Sequence, residues 1–194
     1  MSDPSIQDGP HATESPAGAD AANATTPNST VLAFIETPKG SQNKYEYDHE
    51  RRALRLDRVL FSSIHYPADY GFIPETHWDD GDPLDILVLM SEPSFPGCLI
   101  DARPVGGLDM ADEKGGDFKV VAVPTHDPRF DNIRSIADLA HHVLKEIANF
   151  FETYKILEEK ETHILGWHDI DETQRRIARS RDLYRQMHET SEAN

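Results

Sequence analysis

The sequence predicts an α+β fold with a mainly β core. Short runs rich in β-branched and aromatic residues, separated by Gly, Pro, Asn and Asp, fill positions 31–124. After the segment DPRFDN, apolar residues recur at spacings of three, four and seven, which is the period of an amphipathic helix. Strands that come first and helices that follow are the order typical of the α+β class.

Seven segments carry the strand pattern in the first part of the chain. Their close spacing, with turn residues between them, predicts a compact antiparallel sheet or a small barrel. In chain order they are VLAFIE (31–36), KYEYD (44–48), ALRLDRVL (53–60), YGFIP (70–74), DILVLM (85–90), CLIDARPVG (98–106) and FKVVAVP (118–124).

Two helices are predicted in the last third of the chain. The second and weaker one runs over about 171–188, with Ile177, Tyr184 and Met187 facing inward and a row of arginines facing outward. The first carries an apolar stripe formed by Ile136, Ala140, Val143, Ile147, Phe150, Phe151 and Tyr154.

The length of 194 residues is sufficient for one ordinary domain. Residues 1–30 contain no Lys or Arg and consist mostly of small residues, Pro and a few acids, so they cannot bury enough apolar surface to offset ordering entropy. We expect a disordered acidic leader at 1–30 and one folded domain at 31–190. No secretory signal and no membrane-spanning run is present in the sequence, so the expected location is the cytoplasm.

The charge balance restricts the class of partner. The chain has 35 acidic and 19 basic side chains, a formal net charge of -16, which argues against affinity for nucleic acid or anionic membranes. It leaves open a requirement for cations. The single cysteine, Cys98, excludes an internal disulfide and suits a reducing compartment, and its context PGCLIDA predicts a structural role at the start of a buried strand.

The first cluster of chemical interest is WDDGDPLDILVL, residues 78–89. Gly81 and Pro83 predict a turn that aims several carboxylates at one point, with DILVLM as its rigid mount. Desolvated like charges at such spacing repel by several kcal/mol, so either the turn is solvated or a cation lies among its acids. Hard divalent cations prefer such oxygen ligands. We expect Asp79 to be a solvated neighbour.

A second acidic turn strengthens the metal interpretation. MADEKGGDFKVV carries Asp112, Glu113 and Asp117 around a glycine pair and also leads into a strand. Lys119 lies two residues past Asp117, so both side chains share a face of that strand. Two such turns on one small sheet are the arrangement expected of a metal site that takes carboxylate ligands from both. No Cys or His has matching spacing, which favours Mg²⁺ or Mn²⁺ over zinc.

Cationic residues and tyrosines lie on other segments. Lys44 and Glu46 share one face of KYEYD, and Arg58 shares a face with Leu54 and Leu56, where an arginine is costly unless it is paired or enters a polar cavity. A salt bridge from Arg58 to Glu46 or a similar acid is the structural alternative. Carboxylates, cations and tyrosines that converge on one sheet suit a polyanionic phosphate substrate held between metal ions and cations.

The segment DGDPLD (80–85) resembles the signature of the family I soluble inorganic pyrophosphatases. FIETP, KYEYD, LDRVL, YPADYGFIP, RPVGGLDMADEKGGDFKVVAVP and FFETYKILE also resemble family segments, in family order, from Val31 to Trp167. The resemblance implies a five-stranded, OB-like closed barrel with flanking C-terminal helices. It also implies magnesium-dependent hydrolysis of inorganic pyrophosphate to two phosphates by direct attack of a metal-activated water, and assembly as a homohexamer.

The resemblance further implies a role for each matching position. Asp82 matches the general base, and no covalent intermediate is needed. The metal ligands are Asp80, Asp85, Asp112, Asp117 and Glu36, and Asp85 is placed to bridge two ions. The substrate-binding residues are Lys44, Arg58, Tyr70, Lys119, Tyr154 and Lys155, with Glu46, Tyr66 and Glu113 in supporting roles.

Two other function classes compete with this hypothesis. A non-catalytic OB-like module that binds nucleic acid needs a basic groove with stacking aromatic residues, and the charge of -16 speaks against it. A calcium-binding structural domain would explain the acids but not Lys44, Arg58 and Lys155.

Overall fold

Five strands close into a barrel in the computed structural model, which describes residues 30–113 and 115–192. The predicted leader therefore lies outside the described residues except for Thr30. The strands of the described part are β1 (Val31–Thr37), β2 (Asn43–Asp48), β3 (Ala53–Val59), β4 (Asp69–Phe72), β5 (Asp85–Val88), β6 (Leu99–Asp112), β7 (Gly115–Pro124) and β8 (His163–His168). The helices are α1 (His141–Thr153) and α2 (Ile170–Glu192).

The ring of hydrogen bonds runs β1-β4-β5-β7-β6 and closes because β6 also pairs with β1. This confirms the α+β class and the five-stranded barrel. One pairing differs from the antiparallel expectation: β5 and β7 are parallel, with Asp85 opposite Lys119. The long strand β6 separates them in the chain and pairs antiparallel with β7. The parallel pairing places the two acidic turns, each just before its strand, at the same end of the barrel.

The strands of the barrel alternate between two hydrophobic clusters, as the two-residue period of a strand requires. On β5, Ile86 and Val88 belong to one cluster, which also contains Ile177 of α2. Leu87 and Leu89 belong to the other, which contains the buried face of α1. Both faces of β5 therefore pack against hydrophobic core, and the turn that precedes β5 is attached to a rigid strand.

The hairpin of β2 and β3 forms a separate two-stranded sheet beside the barrel. Its register shifts between Lys44 and Tyr45, so Lys44 lies opposite Arg58. The predicted apolar face of β3 is not a core face, because Leu56 remains half exposed. Arg58 consequently projects beside the barrel mouth and not into packed core.

The helices follow the predicted order with different bounds. The apolar stripe begins in a short 3₁₀ turn, Ile136–Asp138, and α1 starts only at His141. Strand β8, which pairs with β6, was not predicted. Ile177 is buried as expected, whereas Met187 is exposed and the inward prediction for it is wrong. Within the described residues no helix is both long and apolar enough to cross a membrane.

Candidate active site

A cavity of about 500 Å³ lies at the end of the barrel where the two acidic turns meet. Fourteen of the fifteen predicted site residues line it. The exception is Tyr66, which is buried behind the wall and packs its ring 5.5 Å from that of Tyr70. The fourteen are Glu36, Lys44, Glu46, Arg58, Tyr70, Asp80, Asp82, Asp85, Asp112, Glu113, Asp117, Lys119, Tyr154 and Lys155.

The first acidic turn is closed by its own backbone. The Trp78 amide donates to the Asp82 carbonyl at 2.8 Å, and the Gly81 amide donates to the Trp78 carbonyl at 3.0 Å. Gly81 has a φ of 96°, a conformation that side chains disfavour, although a Cβ there would meet no neighbour. The Asp82 amide donates to Asp80 Oδ1 at 3.1 Å, so the turn sets the relative position of these two carboxylates.

Lys119 occupies the centre of the cavity wall. Its Nζ lies 2.6 Å from Asp85 Oδ2 and 2.9 Å from Asp117 Oδ2, and the Tyr70 hydroxyl donates to Asp85 at 2.5 Å. The Lys119 side chain is 2% exposed. Burial disfavours its charged form, but the carboxylates of Asp117 and Asp85 outweigh that cost and raise the pKa of Lys119 well above its usual value. The prediction that Lys119 shares a face with Asp117 is confirmed.

The end of α1 brings two further predicted residues to the cavity. Lys155 Nζ lies 2.7 Å from Asp112 Oδ2, which belongs to the end of β6. Burial opposes charge on Lys155, but the Asp112 carboxylate holds the pKa of Lys155 above its usual value. The Tyr154 ring stacks on Phe150 with centroids 5.4 Å apart, so the packing of α1 fixes the position of both residues.

The hairpin supplies the cations of the opposite wall. Lys44 pairs with Glu46 and lies 3.4 Å from Asp57 Oδ2. Arg58 donates to Asp57 at 2.6 Å and to Glu158 at 2.8 Å, so it pairs with acids as the structural alternative expects, although with these two and not with Glu46. Sequence reasoning missed Asp57 and Glu158. The only signal for Asp57 is its place beside Arg58 in LDRVL, which acquires meaning once the hairpin register is known.

Glu36 is a strongly perturbed acid of the site. Its Oε1 accepts a hydrogen bond from the Tyr47 amide at 2.7 Å. Burial raises the pKa of Glu36 to about 7, and the nearby Asp85 carboxylate adds to the effect. Burial also raises the pKa of Asp80, with the charges of Asp82 and Asp117 acting in the same direction.

The donor set of the cavity fits hard divalent cations. Among the described lining residues, nine Asp and Glu carboxylates stand against five Lys and Arg cations, a formal excess of four negative charges. In the described part of the chain no three His, Cys, Asp or Glu side chains are already gathered at metal-binding distances, and Lys119 separates Asp85 from Asp117. Oxygen donors with excess negative charge suit Mg²⁺ or Mn²⁺ and not zinc.

The first turn also makes a contact that was not predicted. Asp79 is exposed and does not line the cavity, as expected, but both of its carboxylate oxygens accept hydrogen bonds from Arg179 of α2, at 2.7 and 3.1 Å. The sequence gives no signal for this contact, since the two residues are 100 positions apart.

Comparison with known proteins gives a consistent result. Residues 33–185 match the family model described as inorganic pyrophosphatase. The inorganic pyrophosphatase of Methanosarcina mazei is 51% identical over 166 residues, which cover 86% of this chain and 98% of that protein. That of Synechocystis is 58% identical over 141 residues, which cover 73% and 83% respectively.

Solved structures agree with the sequence comparisons. The crystal structure of inorganic pyrophosphatase from Thermus thermophilus superposes with a TM-score of 0.80 at 45% identity, covering 84% of this chain and 95% of that one. The inorganic pyrophosphatase of Helicobacter pylori gives a TM-score of 0.79 at 40% identity, covering 80% and 94%.

Proposed function

This chain belongs to family I of the inorganic pyrophosphatases, and we propose that it hydrolyses its substrate by direct attack of water with Asp82 as the general base. The family is metal-dependent and the activity is that of an inorganic diphosphatase. The single observation that carries the proposal is the parallel register of β5 and β7. It gathers two acidic turns and the buried Lys119 at one cavity. Neither a nucleic-acid-binding module nor a calcium-binding structural domain accounts for the family membership.

The carboxylates are proposed to hold the divalent ions. When bound, the ions supply water of lowered pKa and positive charge for the phosphates. Mg²⁺ is the ion we propose, with Mn²⁺ as a possible substitute. The proposed ligands are Asp80, Asp85, Asp112, Asp117 and Glu36.

Asp82 is suited to accept the proton of the attacking water. It is exposed to the cavity, and its carboxylate makes no ion pair with any described residue, so its oxygens are available as acceptors. As the water oxygen forms its bond to one phosphorus, the proton moves to Asp82. The bridging P–O bond breaks, and its electron pair leaves with the second phosphate. Since water is the nucleophile, no group of the protein becomes covalently attached.

The cations and tyrosines are proposed to hold the two phosphates and to stabilise the charge that develops on the leaving group. These residues are Lys44, Arg58, Tyr70, Lys119, Tyr154 and Lys155. Three others support them. Glu46 pairs with Lys44, Glu113 lies 3.9 Å from Lys155 Nζ, and Tyr66 packs behind Tyr70.

Asp82→Asn tests the base directly. We expect kcat to fall by about 10²- to 10⁴-fold, the usual contribution of a positioned base, because the amide cannot accept the proton. The melting temperature and Mn²⁺ affinity, measured by calorimetry without substrate, should stay close to those of the native protein. Asp131→Asn, an exposed acid outside the cavity, is the matched control. A kcat within threefold of the native value would remove Asp82 from this role.

Two further parts of the proposal concern the whole protein. We propose that it acts in the cytoplasm, which the single free cysteine supports. We also propose a homohexamer, supported by the family resemblance alone. Light scattering after size-exclusion chromatography tests the assembly, and a monomeric mass at micromolar concentration would contradict it.

A further inference from the structure

The last helix contacts the first acidic turn through a two-pronged ion pair. Arg179 Nη2 donates to Asp79 Oδ1 at 2.7 Å, and Nη1 donates to Asp79 Oδ2 at 3.1 Å. Such a fork fixes orientation as well as distance, because both bonds lie in the guanidinium plane. Asp79 immediately precedes Asp80, so the contact lies next to a proposed metal ligand.

Two more contacts join α2 to the same part of the chain. The Arg179 guanidinium lies 5.0 Å from the centroid of the Trp78 ring, and Trp78 in turn packs 6.1 Å from Phe118. The His77 amide donates to the carbonyl of Ser180, which is fully buried, at 3.0 Å. Residues 77, 78 and 79 are therefore each held by α2 in succession.

The conformation of the turn that follows these contacts depends on how firmly its two ends are fixed. Asp80, Gly81 and Asp82 are exposed, whereas Leu84 is fully buried and anchors the far end. Ordering an exposed turn that contains glycine costs conformational entropy, and a fixed near end removes part of that cost. The near end of this turn is the segment that α2 holds.

We propose that Arg179 is a positioning residue, which fixes the near end of this turn so that Asp80 and Asp82 face the cavity. The inference rests on the proposed roles of those two carboxylates. Arg179 touches neither substrate nor metal in this proposal, and it acts through Asp79 and Trp78.

The competing explanation is an ordinary surface ion pair with no effect on the site. Both side chains are about half exposed, and such pairs contribute little to stability on their own. The two explanations predict different changes in cation affinity when Arg179 is replaced. Removal of a positive charge near acidic ligands should, through space, strengthen cation binding or leave it unchanged. Loss of positioning should weaken it.

The experiment measures Mn²⁺ binding by isothermal titration calorimetry, without substrate, for Arg179→Met and for Arg185→Met. Arg185 is also on α2 and also pairs with an aspartate, Asp182, so its variant is a matched loss of charge. We expect Arg179→Met to weaken Mn²⁺ binding by about three- to tenfold, since partners that orient ligands typically affect metal affinity at least this much. Arg185→Met should change it by less than 1.5-fold.

Arg179→Lys retains the charge and loses the fork, so it guards against misfolding of the first variant. We expect it to weaken Mn²⁺ binding by an intermediate factor, while KM for the substrate at saturating metal changes by less than twofold. If neither Arg179 variant weakens Mn²⁺ binding relative to Arg185→Met, the positioning role is overturned.

Asp80→Asn serves as the reference that distinguishes failure of the positioning role of Arg179 from failure of the ligand role of Asp80. If it weakens Mn²⁺ binding while Arg179→Met does not, only the positioning role fails. If Asp80→Asn itself leaves Mn²⁺ binding unchanged, the proposed ligand role of Asp80 fails, and the inference falls with it.

Discussion

Replacement of Lys119 by Met should strongly destabilise the metal-free protein. The Lys119 ammonium is 2.6 Å from Asp85 and 2.9 Å from Asp117, and its side chain is almost fully buried. Removal of one partner from a buried ion pair typically costs about 3–5 kcal/mol, because the remaining charge is left without compensation. For a domain of this size, about 2–4 °C per kcal/mol converts that cost into a melting temperature lower by about 6–20 °C.

The assay is thermal unfolding in EDTA at pH 8 and at fixed protein concentration. This pH keeps the carboxylates charged, because burial has already raised the pKa of Asp85 and lower pH would allow it to protonate. Lys145→Met, on the exposed face of α1, is the matched control and should shift the melting temperature by no more than about 2 °C.

Addition of Mg²⁺ provides the second half of the test. A ligand that binds only the folded state stabilises it by about 4 kcal/mol at a thousand times its Kd. Without the Lys119 ammonium, no cation compensates the negative charges of the Asp85 and Asp117 carboxylates, so both are available to attract Mg²⁺. Mg²⁺ should therefore raise the melting temperature of Lys119→Met by more degrees than that of the native protein. An equal or smaller rise, or a shift in EDTA no larger than that of Lys145→Met, would refute the reasoning.

Three other predictions test separate parts of the site and the chain. Asp85→Ala should raise the Mg²⁺ concentration needed for half-maximal activity by at least tenfold, and an unchanged metal dependence would disprove its role as a ligand. Glu36 has its pKa raised from 4.5 to about 7 by burial, so its contribution to stability is present below pH 4.5 and is lost as pH rises through 7. Glu36→Gln should therefore raise the free energy of unfolding of the metal-free protein at pH 8, relative to the native protein, by up to about 3 kcal/mol, with almost no difference near pH 4.5. Equal differences at both pH values would contradict this. Deletion of residues 2–29 should leave kcat and melting temperature nearly unchanged, and a large loss of either would show that this segment is structural.

The strands and most site residues were predictable because their signals are local. DILVLM and FKVVAVP each contain a continuous apolar run, as expected of strands buried on both faces, and the structure divides their side chains between the two clusters. The nearby acids are close to glycine turns, so short motifs suffice to select Asp80, Asp85 and Asp117 as candidate site residues. Their convergence on one cavity depends on strand pairing.

The missed features all depend on contacts between distant parts of the chain. Strand β8 lies on the barrel through β6 and has only six residues, one of them Gly166, so its own pattern is weak. The parallel pairing of β5 and β7 cannot be read from either strand alone. The ion pair between Asp79 and Arg179 is the clearest case, because each residue taken separately is typical of a solvated surface.

The distribution of cations also follows from contacts that sequence does not reveal, and it bears on how metal and substrate affect each other. In the structure, Lys44, Lys119 and Lys155 each lie against a carboxylate of the same cavity. On the proposed roles, the lysines must be available to phosphate oxygens and the carboxylates to divalent ions, so metal and substrate both disrupt the same ion pairs.

Whichever of the two, metal or substrate, binds first bears the free-energy cost of separating these ion pairs. The second then binds to groups that are already released. Because linkage is reciprocal, the factor by which metal strengthens anion binding must equal the factor by which the anion strengthens metal binding. A cavity with an excess of four negative charges can therefore be selective for a metal-bound anion without any residue that recognises the complex as such.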